Sequence, residues 1–326
     1  MNKIFVAVIG VILVAGLLGL SSGPAAGPEQ MVRIGDLPIV DGLPLYVALE
    51  KGYFAEEGLH VERVQFEAPN QIIDALLQDR IDFGSPSIAL GITGIADHKN
   101  PGKLKIYAAA GGSVDHPKEN LLVAPDSDIV SISDLSGKRL GILGGIQWRT
   151  IARELLAQHG LEMDKDVTIV ELSPALQVQA LASGQIDALL ALEPMSTVAI
   201  QQGAGKIMIS GPVEKGIANP FYGGAGVVRA AFAEEYPEQT AKVLRAFERA
   251  MDDIAADPAA HKQYLLGYTP LSEEVVQEVP IVMFRSCSDF TSDDIGAMQA
   301  FYDIFTKYGI VDGEIDPHTL LYCETE

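Results

Sequence analysis

The chain has 326 residues, 48% of them hydrophobic and 21% charged, and a net charge of −21. That length supports two domains with cores of their own, and the composition is that of a globular rather than a disordered chain. An acidic surface repels phosphate backbones and anionic headgroups, which argues against nucleic-acid and acidic-membrane partners.

Residues 1–27 form a separate segment. Lys3 precedes a 17-residue uncharged run, Ile4–Leu20, and small residues follow at Ser21–Gly23 and Ala25–Gly27. The pattern reads as a cleavable secretory signal peptide, with an uncleaved anchor as the other reading. No cysteine follows the run, so a lipoprotein anchor is excluded.

From residue 32, strands alternate with helices. VRIGD (32–36) reads as a strand, 43–51 as a helix, 61–66 as a strand and 69–79 as a helix opened by Pro69. Strand 81–84 is expected to run into Ser85-Pro86-Ser87 as the cap and first turn of the next helix. The apolar strand 104–110 follows, then a polar break and an extended crossing at 119–125. A second unit then repeats the first about 105 residues later: Pro69 matches Pro174, Ala75-Leu76 matches Ala180-Leu181, and Ile81-Asp82 matches Ile186-Asp187. Helices are expected at 147–159, from 233 onward, near 273–285 and at 292–308.

Two matching β-α-β-α-β units predict two parallel α/β lobes facing each other. Crossings near 113–120 and 218–226 predict a two-strand hinge, with residues 31–115 and 225–326 in lobe I and 116–224 in lobe II. Ligands bind beyond the carboxyl ends of parallel strands, which selects Asp36–Leu43, Ser85–Ser87, Gly144–Trp148 and Glu193–Met195.

Within these loops the candidate binding residues are Asp36, Asp41, Ser85, Ser87, Gly145, Gln147, Trp148 and Glu193, with Tyr222 in the second crossing. Ser85 and Ser87 offer hydroxyls at an expected helix start, a place suited either to an oxyanion or to a plain cap. Gly145 permits close backbone approach, and Trp148 is an aromatic wall or a packing residue. The carboxylates Asp36, Asp41 and Glu193 favour a ligand with a cationic or hydrogen-bond-donating group. Cys287 and Cys323, the only cysteines, are either free or paired, and pairing adds roughly 3–4 kcal/mol. Catalytic residues, metal and cofactor are not indicated: no histidine falls within the four loops, and no nucleophile elbow or nucleotide motif is present.

The stretches GLPLYVALEKGYFAEEGLHVE, IDFGSPS, SISDLSGKRLGI and IDALLALEP, in this order, resemble the periplasmic substrate-binding proteins of ABC transporters for sulfonates, taurine, nitrate and thiamine-pyrimidine precursors. The resemblance covers about residues 31–310. It implies a type II periplasmic binding fold, a small-molecule ligand, delivery to a permease and ATPase complex, and work as a monomer without chemistry on the ligand. One branch of that family synthesises a pyrimidine and carries a cysteine-rich cluster with no counterpart here. An enzyme of that kind and a membrane-anchored sensory module are the alternatives.

Overall fold

The computed structural model describes residues 31–323; the signal-peptide reading of residues 1–27 lies outside them. The first half of the chain supplies β1 (Val32–Asp36), β2 (Val61–Gln65), β3 (Phe83–Ala89) and β4 (Leu104–Gly112). Then come β5 (Glu119–Val123), β6 (Arg139–Leu143), β7 (Thr168–Leu172), β8 (Ala188–Leu192) and β9 (Lys206–Ser210). β10 (Phe221–Arg229) and β11 (Met283–Ser286) complete the set.

These strands form two sheets, ordered β2-β1-β3-β10-β4-β11 and β7-β6-β8-β5-β9. Apart from the edge strand β11 the two orders are the same plan. In each, three parallel strands are followed by an antiparallel strand lent by the other half of the chain: β10 in the first sheet, β5 in the second. The chain therefore crosses between sheets twice, once from Gly112 to Glu119 and once from Ser210 to Phe221. Two α/β lobes joined by a two-strand hinge is the architecture expected from the repeat.

The repeat holds at the level of single side chains. Asp82 Oδ2 accepts from the Arg33 backbone N–H at 3.0 Å, and Asp187 Oδ2 accepts from the Arg139 N–H at 2.8 Å. Both arginines also turn their guanidinium onto the same aspartate, pinning the start of each first strand. A glycine sits at the matching place in each of those strands. A Cβ on Gly35 would stand 2.5 Å from Ile81 Cδ1, and one on Gly141 would stand 2.4 Å from Ile186 Cδ1. The repeated isoleucine thus needs a strand without a side chain beneath it.

Helices form where apolar residues recur at helical spacing and prolines open the first turn. Pro69–Leu77 buries Ile72, Ile73, Ala75 and Leu76, and Pro237–Ala256 buries Val243, Phe247, Ala250 and Ile254. Each such large side chain contributes about 1.5–3 kcal/mol. One core cluster runs through both lobes, and a separate cluster packs against each sheet.

Two expectations are corrected. Ser85-Pro86-Ser87 does not begin a helix; β3 continues to Ala89 and the helix starts at Leu90. A proline is tolerated in this interior strand because the neighbouring β10 shifts register between Ala225 and Val227, leaving residues 85–87 outside the ladder. The helix expected over 273–285 ends at Glu278, and residues 283–286 form β11. Pro280 forces Val279 out of helical geometry. Cys287 and Cys323 are joined in a disulfide that ties the last described residues to the segment after β11.

Candidate functional site

The carboxyl ends of β1, β3, β6 and β8 meet between the lobes, as the topology requires. At the centre the walls nearly touch, leaving about 30 Å³, room for a single water. Asp41, Ser87 and Leu37 line it from the first lobe, Gln147, Trp148 and Leu143 from the second, Lys118 from the first crossing, and Gly223 and Gly224 from the start of β10. The lobes are in a closed arrangement.

Two contacts hold it at the centre, and Glu154 of the second lobe also pairs with Lys307 and accepts from the Tyr308 hydroxyl of the first. Gln147 is 1% exposed; its Oε1 accepts from the Gly91 N–H at 2.7 Å and its Nε2 donates to the Gly223 carbonyl at 3.0 Å. Gly91 belongs to the helix after β3 and Gly223 to β10, so one side chain of the second lobe grips two elements of the first lobe. The second contact is an ion pair between Lys118 Nζ and Asp41 Oδ2. Burial pulls the Lys118 ammonium down, but Asp41, Glu119 and Glu214 outweigh it and hold it above the usual lysine range.

On either side of this centre the seam widens. One chamber of about 390 Å³ is mainly apolar and lies between Leu37, Ile39 and Pro69 of the first lobe and Leu143, Pro174 and Met195 of the second. The other, about 380 Å³, lies beside the hinge and is lined by Lys118, Asn120, Glu193, Thr197 and His116, with Ile281 and Val282 opposite. Both fall in the size range of small-molecule sites.

The nine candidate residues separate accordingly. Asp41, Ser87, Gln147 and Trp148 converge on the cleft centre, while Glu193 lines the hinge-side chamber. Asp36 is fully buried and saturated: Arg63 donates to its Oδ2 at 2.7 and 3.0 Å, Tyr46 at 2.8 Å, and Ser85 to its Oδ1 at 2.9 Å. Burial raises the Asp36 carboxyl despite Arg63. Asp36 and Ser85 form a polar knot beneath the floor, and Ser87 extends it by accepting from the Leu37 N–H. Tyr222 faces the other way, donating to Asp294 Oδ1 at 2.6 Å on the helix Ser292–Lys307. Gly145, at φ +116°, precedes the helix Ile146–Ala157, but its N–H already donates to Glu171 Oε2 at 3.0 Å. An internal carboxylate therefore holds the position where an oxyanion would dock.

Sequence reasoning missed Lys118, Asn120 and His116, all at or near the first crossing. A lysine directly before an apolar strand, where the chain changes lobe, was the available signal.

Two parallel-sheet lobes, two crossings and a cleft at the strand ends define a type II periplasmic binding fold. The NMT1/THI5-like family model matches residues 40–261, and the chain belongs to that family. Over 332 residues it is 28% identical to a putative aliphatic sulfonates-binding protein of Bacillus subtilis, covering 97% of this chain and 93% of that protein. It is also 25% identical to the 4-amino-5-hydroxymethyl-2-methylpyrimidine phosphate synthase of Aspergillus parasiticus, over 84% of this chain and 81% of the synthase. Among solved structures, the alkanesulfonate-binding protein SsuA of Xanthomonas axonopodis pv. citri, bound to MOPS, superposes with a TM-score of 0.73 at 22% identity. That match covers 91% of this chain and 99% of the other. The periplasmic nitrate-binding protein NrtA of Synechocystis PCC 6803 gives 0.70 at 18%, covering 88% and 83%.

Proposed function

We propose that the protein is an extracytoplasmic solute-binding protein. It captures a small polar or heteroaromatic organic ligand between its lobes and passes it to an ABC-type permease and ATPase complex. Residues 1–27 act as its export signal, residues 31–115 and 225–326 form lobe I, and residues 116–224 form lobe II. It works as a monomer in the periplasm, and it is not an enzyme. The observation that carries this reading is Gln147, whose amide from one lobe engages Gly91 and Gly223 of the other. Such a contact breaks and re-forms as lobes open and close, which is what a receptor needs. The binding proteins among its relatives support the same reading. Among the described residues, no helix is long and apolar enough to cross a membrane.

The test is a thermal-unfolding screen against sulfonates, nitrate, amines, aminopyrimidines and aromatic carboxylates, paired with small-angle scattering. A ligand at 1,000 times its Kd adds about 4 kcal/mol. The expected result is a rise in midpoint for one chemical class with a compact form in solution. No shift for any class defeats the proposal. The pyrimidine synthases among its relatives favour a second reading, an enzyme acting on a related heterocycle. Turnover or a covalent adduct would select it.

A further inference from the structure

The hinge-side chamber has an unbalanced set of polar groups. Lys118, which lines the chamber, is consumed by Asp41, and Arg63, beneath the cleft floor, by Asp36. Glu193, 3% exposed, has no such partner: its Oε2 accepts from the Thr197 N–H at 3.2 Å and the Thr197 hydroxyl at 2.8 Å. Those bonds fix the carboxylate in direction without neutralising it, and among the described residues it forms no ion pair. Burial pushes its carboxyl up, the sign of a charge left short of a counter-charge.

A second group in the same wall is short of a donor. Asn120, 5% exposed, donates through Nδ2 to Ser196 Oγ at 3.3 Å, while its Oδ1 is buried with no hydrogen-bond partner. A buried acceptor without a partner costs about 1–3 kcal/mol. Ile200 and Ile207 on one side and Ile281 and Val282 on the other supply its hydrocarbon, while Asp115, His116 and Ser210 add further polar groups and Lys118 is held by Asp41.

We infer that this chamber takes the cationic amine of a small aliphatic ligand. Glu193 receives the charge, Asn120 Oδ1 accepts a second N–H, and the isoleucines and Val282 cover the carbon chain. The inference rests on the solute-receptor reading and narrows its ligand class to amines, away from the sulfonate and nitrate that the names of its structural neighbours mention.

The test uses n-hexylammonium, hexan-1-ol and hexane-1-sulfonate as matched probes on the purified protein. Binding is read by calorimetry and by the fluorescence of Trp148, the only tryptophan in the chain. The amine is expected to bind about tenfold or more tighter than the alcohol, because a hydrogen bond to a charged group is the stronger kind. The sulfonate is expected not to bind. Glu193→Gln and Asn120→Leu should each bring the amine toward the alcohol's level, with unfolding midpoints recording that both variants fold. The three-probe comparison on the unaltered protein stands even if a variant does not. A sulfonate that binds tightest, or an amine preference that survives Glu193→Gln, overturns the assignment and leaves the receptor reading intact. No response to these probes or to the wider ligand screen overturns both.

Discussion

Lys118 Nζ lies 2.5 Å from Asp41 Oδ2, with both side chains 3% exposed. The pair joins the end of the crossing into the second sheet, directly before β5, to the loop after β1 in the first. Removing one partner leaves a buried charge without compensation, which costs about 3–5 kcal/mol. Lys118→Met is therefore expected to lose that much in urea unfolding. The double variant Lys118→Met, Asp41→Asn should recover most of it, because the cost lies in the orphaned carboxylate. A double variant as unstable as the single would show that the lysine acts through packing alone.

Gln147 predicts a different signature. Its two hydrogen bonds cross the cleft, and when the lobes part both Gly91 and Gly223 are free to meet water. Gln147→Ala is expected to change unfolding free energy by no more than about 1–2 kcal/mol. Small-angle scattering should instead show a larger radius of gyration and a population shifted to the open form. Ligand affinity falls with it, since a receptor that must first close gives up part of its binding free energy. An unchanged radius alongside lower affinity would place Gln147 on the ligand rather than on the latch.

The architecture was legible in the sequence because the repeat carries its own packing rules. Ile81-Asp82 and Ile186-Asp187 recur since each Asp pins an arginine at the start of a first strand and each Ile packs over a strand glycine. The site was only partly legible. Gln147 and Trp148 follow from their place at the end of β6. Asp36 looked equally exposed from its position, yet Arg63 consumes it, and Arg63 lies on β2, 27 residues away. Ser85-Pro86-Ser87 carries a good local signal for a helix start, but the serines at alternate positions face Asp36 and hold the strand extended. Pairings across the sheet override local propensity here, and a single sequence does not display them.

The hinge strands β4 and β10 approach too closely for a side chain at Gly111. A Cβ there would stand 2.0 Å from the Phe221 carbonyl oxygen, a backbone atom that cannot swing aside. Gly111→Ala must therefore separate the strands where they carry the second crossing. The expected cost is about 1–3 kcal/mol or more, as for other overpacked positions. Native-state hydrogen exchange should show it first as faster exchange at Phe221 and Tyr222. Wild-type protection there would mean that the strands slide past each other without opening.

Glu119, the first residue of β5, sets the expected pH dependence of the fold. It is fully buried, and neither carboxylate oxygen has a hydrogen-bond partner. Burial and then the negative charge of Glu214 push its carboxyl well above the ordinary glutamate range; Lys118 opposes them, and Asp41 adds a smaller push upward. Glu214 Oε1 accepts from the Lys118 N–H, while its Oε2 is also without a partner. A proton on Glu119 supplies the missing donor between the two hinge crossings. The folded chain thus holds a proton that the unfolded chain has released once pH exceeds the ordinary glutamate value. This contribution to stability is complete below that value and is lost as pH rises through the raised folded value. Glu119→Gln keeps the shape and cannot ionise. Thermal midpoints measured from pH 4 to pH 8 should fall less with rising pH in the variant, which should be the more stable protein at pH 8. Parallel profiles for the two proteins would show that Glu119 does not titrate across the window and that its charge is balanced in the hinge.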